Sequence, residues 1–382
     1  MTVVLIALGF AIPYLLLQAY YLFYWHKTKP VSIPLDYIPS ASVTIIVVAH
    51  NESKSIGTCL QGILQQSYPA HLMEIIVIDD HSTDATIDEV QKIGSERIAL
   101  YNLKDYPEYI KAPAYKKSSI TLAVDKSTSE YIVITDADCV HSSQWLNTVV
   151  FGLEKNQNAF QTAPVILDGN NSLLSEMQET EQLVLMLITA AGITSGLHDI
   201  ANGANMAFRK SAFLQVDGYA GNEQFASGDD MFLIEKMRKA FPGNIAFNKS
   251  INASVSTQAK KNWSSLIKQR LRWAGKNKGL ESQTINRIWA FVGLYHFILL
   301  FSLAASLFNL ISPIPFIILF VVKWFADFLV ITTAASFFRK TSLLKYFVPL
   351  QFLYSYYILR LGLSMVIGKK GDWVRTSQNS PD

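Results

Sequence analysis

Two pairs of aspartates stand at the ends of short β-branched runs: Asp79 with Asp80, and Asp136 with Asp138. Carboxylates at i and i+2 around a turn can hold a hard divalent cation through oxygen and leave positions open for water and phosphate. Aspartate at a strand end also simply makes turns or caps helices. Two such pairs on one rim of a parallel sheet weigh against that plainer reading. A third acidic group, Asp229 and Asp230, follows Gly228, which suits a loop with close backbone approach. A carboxylate there can act as a general base if it faces the cation site. Lys116 and Lys117 lie one helix upstream of the second pair and can offset phosphate charge. In the run 269–273, the spacing i, i+3, i+4 puts Gln269, Arg272 and Trp273 on one helical face. A guanidinium can bind a diphosphate bidentately, and an indole offers a flat apolar surface to a sugar or lipid. A basic helix against anionic headgroups is the plainer alternative; it accounts for the lysines and not for the Gln/Trp spacing.

Other chemistries lack their residues. There is no GxGxxG and no GxxxxGK[ST], so dinucleotide and P-loop sites have no glycine cradle. The seven histidines show no HxxxH or HxH spacing, which excludes a typical zinc site. Cys59 and Cys139 are far apart without a CxxC, compatible with a reducing compartment. Ser82 and Ser227 have no GxSxG elbow. His81 adjoins Asp80 and could approach the cation, although a loop histidine is the simpler reading. Cys139 reads as a small buried residue. Net charge is 33 − 30 = +3, too weak to argue for nucleic acid.

The elements that must position these residues read as α/β. Runs 43–48 and 74–79 read as buried strands, and 98–101 and 131–135 as further strands. Asn51 to Ser53 marks a helix start ahead of a helical pattern over 56–64, and Ser82 to Asp84 caps a helix near Ala85. Residues 115–124 form a further helix. Strands alternating with helices predict a mostly parallel sheet with both faces covered. Such sheets bind ligands beyond the carboxyl ends of their strands, where the aspartates lie.

This soluble region, 38–285, sits between apolar segments. The chain has 382 residues, 50% hydrophobic and only 16% charged, with a mean hydropathy of +0.21. Residues 1–26 read as a transmembrane anchor. A signal peptide would want a basic start and a shorter apolar core. A C-terminal membrane region, 288–368, holds three segments, 288–311, 313–337 and 346–367, followed by a basic, polar tail at 369–382. Trp25, Trp289, Trp324 and Tyr346 suit interfacial positions. Lys27, Lys29, Lys260, Lys261, Lys268, Arg270, Arg272, Lys276 and Lys278 flank the soluble region and predict that it is cytoplasmic. The third segment carries Pro349, Gln351 and Arg360; it either spans, leaving Lys369, Lys370 and Arg375 outside, or is re-entrant or packed within a bundle. The apolar run 183–193 is too short to span and reads as an interfacial or acceptor-site helix.

Taken in order, Ala49-His50-Asn51-Glu52, the Asp79–Asp84 run, Asp136-Ala137-Asp138, Gly228-Asp229-Asp230 and Gln269–Trp273 resemble family 2 glycosyltransferases of the GT-A fold, in their membrane-bound branch. That branch includes cellulose, chitin, hyaluronan and poly-N-acetylglucosamine synthases and ceramide glucosyltransferase. The resemblance implies that Ala49, Asn51 and Glu52 line a nucleotide pocket and that Asp79 or Asp80 contacts the base, usually uracil. It implies a nucleotide-site role for Lys116, and binding of Mg2+ or Mn2+ by Asp136 and Asp138, with Asp138 the more direct ligand. Asp230 is implied as the base for an acceptor hydroxyl, with Asp229 on the acceptor side. Gln269 and Arg272 would close over the diphosphate and Trp273 over the acceptor end. The segment from Asn202 to Asn205 resembles, more loosely, the lining of a donor-sugar pocket. His81 departs from the family, which commonly has Gly there. The expected enzyme inverts configuration while moving sugar from a UDP-linked donor to a membrane-associated acceptor. It would be an integral protein of a bacterial-type inner membrane. Four apolar segments are few for a polymer channel, which favours a lipid acceptor. The alternative is a polysaccharide synthase acting as a homo-oligomer or with a membrane partner. A transporter with a nucleotide-binding domain is a third reading, disfavoured by the few intramembrane charges.

Overall fold

The computed structural model describes residues 2–276 and 279–366. Lys278, Lys369, Lys370, Arg375 and the 369–382 tail lie outside the described residues. The chain opens with a long helix, α1 (Thr2–Lys27). Strands and helices then alternate: β1 (Val43–Ala49), α2 (Ile56–Leu64), β2 (Met73–Asp79), α3 (Thr86–Ile93), β3 (Ile98–Asn102), α4 (Tyr115–Lys126) and β4 (Tyr131–Asp136). Next come β5 (Val140–His141), α5 (Trp145–Lys155), β6 (Phe160–Thr162), β7 (Val165–Asp168), α6 (Leu173–Ser195), β8 (Asn205–Arg209) and α7 (Lys210–Gln215). They are followed by α8 (Asp229–Ala240), β9 (Ile245–Phe247), β10 (Val255–Gln258) and α9 (Trp263–Lys276). Three helices follow: α10 (Thr284–Leu307), α11 (Ile314–Phe337) and α12 (Phe347–Val366).

Seven strands form the main sheet in the order β3-β2-β1-β4-β8-β6-β9. The pairs β3/β2, β2/β1, β1/β4 and β6/β9 are parallel, as expected from sequence. β8 is antiparallel to both its neighbours. A small sheet, β5-β10-β7, adjoins it. The central parallel strands β1, β2 and β4 are rich in β-branched residues because both their faces are covered. Ile45, Val47, Ile75, Val77 and Val133 join Ile56, Leu60, Trp145 and Val149 in one core. The alternate residues Ile46, Ile76, Ile78, Ile132 and Ile134 join Ile120, Leu187, Leu233 and Trp25 in the other. This is the period of two that a strand imposes. Register sets Val48 beside Asp136 and Ala49 beside Asp79, so the strands end flush on one rim.

Two expectations need correction. The helix containing 183–193 is longer and deeper than its apolar run suggests. α6 has 23 residues, and Glu176, Gln178, Glu179 and Gln182 are buried on it. The sheet covers one side, and α1 and α11 pack on the other. Trp25 is also not at an open interface. It is buried, with the Lys249 ammonium 3.9 Å above its ring and Phe337 edge-on. Trp324 lies mid-way along α11, away from either end.

α1, α10 and α11 are each long and apolar enough to cross a membrane. Leu5, Leu16, Phe297, Phe301, Val321 and Phe325 stand exposed on them. So much uncovered apolar surface requires hydrocarbon around it and marks the chain as membrane-associated. α12 is an unbroken helix with Pro349 in its first turn, where a missing N–H costs nothing. Its Gln351 faces inward and accepts from Lys323 Nζ at 2.6 Å.

Candidate active site

The rim of the parallel strands gathers the acidic groups. Their loops are laced together before any ligand enters. Asn51 has φ +57°, and its Oδ1 accepts from Thr83 N at 2.7 Å. Asn51 N donates to Ser82 Oγ, Glu52 N to Thr86 Oγ1 and Ser53 N to Asp84 Oδ2. These bonds occupy the backbone of 51–53, so α2 starts later than its sequence suggested, with Ser55 as the N-cap. The Ala49 carbonyl accepts from Asp80 N at 2.8 Å and ties β1 to the turn after β2.

Asp79 is buried; its Oδ2 accepts from Ser82 N at 3.2 Å, while its Oδ1 is buried with no protein partner. That oxygen can accept an N–H from a ligand. Asp80 turns to His81, whose Nδ1 lies 2.8 Å from Asp80 Oδ1. His81 has φ +60°. Glycine favours that region, so the family preference at this position is a backbone requirement, and His81 is a loop residue paired with Asp80.

Asp136 ends β4 and its side chain is 39% exposed; the Lys116 ammonium lies 2.7 Å from its Oδ1. Asp138 is exposed, and its Oδ2 accepts from Thr257 Oγ1 at 2.9 Å. Among the described residues no three or more His, Cys, Asp or Glu are placed to hold a metal ion by themselves. Two open carboxylates suit a hard divalent cation that takes its other oxygens from water and phosphate; the pair fits Mg2+ or Mn2+. Burial, together with Asp138 and Asp136, pushes the Glu52 carboxyl above its ordinary value, against the pull of Ser55 and Lys260. Glu52 therefore belongs to the same electrostatic pocket.

Asp229 and Asp230 open α8 and are buried. Gly228, at φ +87°, turns the chain into that helix. Asp230 Oδ1 accepts from Met231 N at 2.9 Å and Oδ2 from Gly203 N at 3.2 Å. Lys116 Nζ is 3.5 Å from Asp229 Oδ2. Burial works against the charge on Lys116, but Asp136, Asp229 and Asp230 outweigh it and raise its pKa. One lysine head thus spans the rim pair and the α8 pair. Lys117 does something else: it donates to the Asn222 and Phe225 carbonyls at 2.9 and 2.8 Å and pins the loop that leads to Gly228.

The 202–205 segment contributes by its backbone. Asn205 is buried and structural, donating to the Pro164 and Ala253 carbonyls and accepting from Trp145 Nε1. Gly203 is the residue that meets the acids. On α9, Gln269 and Trp273 are half-buried and Arg272 is exposed. Arg270, on the neighbouring face, is buried. Sequence reasoning missed Thr257, named Gly203 only within the 202–205 segment, and placed Lys260 only among the basic residues flanking the soluble region. Thr257 carries no local signal in the sequence.

Comparison with known proteins decides the family. Residues 44–216 match the family described as Glycosyl transferase family 2, and residues 131–364 match Glycosyl transferase family group 2. The chain is a family 2 glycosyltransferase. Among solved structures, the mannosyltransferase PcManGT from Pyrobaculum calidifontis, in complex with GDP-Man and Mn2+, superposes on this transferase with a TM-score of 0.58. That match has 19% identity and covers 96% of this chain and 99% of the other. The shared fold is GT-A. The probable glycosyltransferase YdaM of Bacillus subtilis (strain 168) is 24% identical over 62% of this transferase, which spans about half of its length, 55%. A Methanococcus voltae protein, named as a glucuronosyltransferase of dolichyl N-acetyl-alpha-D-glucosaminyl phosphate, is 21% identical over 68% of this transferase and 80% of its own length.

Proposed function

We propose that this transferase moves one sugar from a nucleoside-diphosphate sugar, preferentially UDP-linked, to a hydroxyl of a membrane lipid, with inversion at the anomeric carbon. The carrying observation is the bridge made by Lys116, 2.7 Å from Asp136 and 3.5 Å from Asp229. It joins a rim suited to a diphosphate to the pair that includes Asp230, within one lysine head.

In this reading the base of the nucleotide enters against Ala49, Asn51 and Glu52, and Asp79 Oδ1 accepts its N–H, with Asp80 holding the turn. Asp136 and Asp138 would hold Mg2+ or Mn2+, which when bound would supply positive charge to the leaving diphosphate. Lys116, Gln269 and Arg272 offset the charge that grows on the leaving diphosphate. Asp230 Oδ takes the proton of the acceptor hydroxyl as that oxygen attacks the anomeric carbon. The bond from carbon to phosphate oxygen breaks, and the nucleoside diphosphate leaves. Asp229 and Trp273 form the acceptor side. The apolar helices α1, α10 and α11 and the membership of a lipid-linked-sugar enzyme among the relatives support a lipid acceptor. The basic residues around the soluble region support a cytoplasmic catalytic domain, the side on which nucleotide sugars occur. We assign the boundaries as an anchor at 1–26, a transferase domain at 38–285 and a membrane region at 288–368, in the membrane-bound branch of the family.

The test is a screen of UDP- and GDP-sugars with purified protein in vesicles made from total bacterial lipid, with Mn2+ or Mg2+. Radiolabel in the organic phase supports a lipid acceptor. Label in water-soluble polymer, formed by an oligomer or with a partner, supports a polysaccharide synthase instead.

A further inference from the structure

Helix α6 carries buried polar side chains that the transfer chemistry leaves unused, and several converge on α9. Glu181 Oε2 accepts from Arg270 Nη2 at 2.6 Å and from Nε at 3.1 Å. The two side chains are 9% and 4% exposed. Desolvation offsets much of the attraction in such a pair, and its best-attested use is to fix register. Arg270 has further contacts. Its Nη1 donates to Gln269 Oε1 at 3.0 Å, and its guanidinium lies 4.2 Å over the Trp273 ring. One cation therefore touches two of the three α9 residues assigned to the diphosphate and the acceptor.

The surrounding contacts hold the same interface. Met177 of α6, Leu266 of α9 and Tyr357 of α12 share one apolar cluster. The Gln178 amide donates to the Lys260 carbonyl and accepts from Lys260 N, both at 2.9 Å, which fixes the approach to α9. Further along α6, Gln182 Nε2 donates to Val165 O at 3.1 Å, and Met186 Sδ accepts from Asn202 Nδ2 at 3.5 Å. Asn202 precedes Gly203, whose N–H holds Asp230. α6 is thus tied both to the loop beside the base and to the helix that carries Arg272.

We infer that Arg270 and Glu181 are positioning residues for sugar transfer. Arg270 sets Gln269 and Trp273, and Glu181 sets Arg270. This rests on the reading that Gln269, Arg272 and Trp273 close over donor and acceptor. The planar fork is essential. A lysine at 270 could pair with Glu181 but could not also reach Gln269 and lie flat on Trp273.

The experiment compares transfer to extracted bacterial lipid with hydrolysis of the same UDP-sugar by water, using full-length protein in nanodiscs. The ratio of the two rates is independent of how much protein is folded, so a purely structural defect leaves it unchanged. For Arg270→Lys and Glu181→Gln we expect transfer to fall roughly ten- to hundredfold relative to hydrolysis. An unchanged ratio in either variant overturns the inference. Asp230→Asn and Arg272→Ala run alongside; if both of those keep wild-type transfer, the underlying reading fails instead. Should neither 270 nor 181 variant fold, amide hydrogen exchange on the wild type decides. Protection of 263–276 comparable to that of α6 supports a locked helix, and free exchange contradicts it.

Discussion

The Lys116 ammonium lies 2.7 Å from Asp136 Oδ1, although the two residues belong to consecutive elements, α4 and β4, and are 20 positions apart. The contact holds a cation between the rim aspartates and the buried pair at the start of α8. Replacing Lys116 by Met removes that positive charge and leaves Asp136, Asp229 and Asp230 facing one another. Transfer should fall about 10²-fold or more, the scale of losing one preorganised charge-stabilising group. Steady-state rates with UDP binding measured by calorimetry check this; a variant within twofold of wild type would show that the lysine is a bystander.

Gly203 is where the 202–205 segment meets the acids. A methyl group on it would stand 3.0 Å from Asp229 Oδ2 and 3.5 Å from both Asp230 Oδ2 and Lys116 Nζ. Gly203→Ala must displace at least one of them. We expect a loss of transfer of roughly tenfold and a loss of stability of about 1 kcal/mol, because the carboxylates displaced are buried and hydrogen-bonded. Equal activity would mean that Asp230 tolerates a shift, which a positioned base does not.

Acid should weaken the fold through His198. Its ring is buried, 3.1 Å from the Tyr21 hydroxyl, and burial, partly opposed by Asp199, lowers its pKa to about 4. The unfolded chain takes up the proton near 6.5, and the folded one only near 4. Between these values the unfolded state binds more protons, so stability falls as pH falls, by about 3 kcal/mol at most across the window. His198→Gln should flatten the slope between pH 6.5 and 4 in thermal unfolding; an unaltered slope would place the acid sensitivity elsewhere, for example at His141, which burial also lowers to about 4.

Inside the helix bundle, Lys323 Nζ pairs with Asp327 Oδ2 at 2.6 Å, and Tyr14 Oη donates to Asp327 Oδ1 at 2.6 Å. Lys323→Met leaves the half-buried Asp327 carboxylate without its cation and should cost about 3 kcal/mol, the low end of the range for breaking a buried pair. The double change Lys323→Met with Asp327→Leu should recover most of that loss. Unfolding of the two variants in nanodiscs provides the comparison; equal stability would show that the pair is not coupled.

The parts of the architecture visible in sequence are those dictated locally. Strands buried on both faces need unbroken β-branched runs, so β1, β2 and β4 and the aspartates after them could be read directly. The helix over Gln269 to Trp273 showed in its spacing. The antiparallel insertion of β8 did not, because it depends on which strands pair across the chain, and it is what brings Gly203 to Asp230. The length of α6 was hidden for a related reason: Glu176, Gln178, Glu179 and Gln182 are polar and extend no apolar run, yet each is buried. By sequence Arg270 is one of the basic residues that flank the soluble region, whereas burial beside Glu181 gives it a partner 89 positions away.

The most direct test of the central claim is the anomeric configuration of the product together with its dependence on Asp230. Purified protein in nanodiscs receives the donor found by screening, Mn2+ and membrane lipid, and the glycolipid is read by NMR. The account predicts a glycosidic bond inverted relative to the donor, formed by wild type and reduced at least about 10³-fold in Asp230→Asn. A product of retained configuration, or an Asp230→Asn variant that transfers at the wild-type rate, would contradict it.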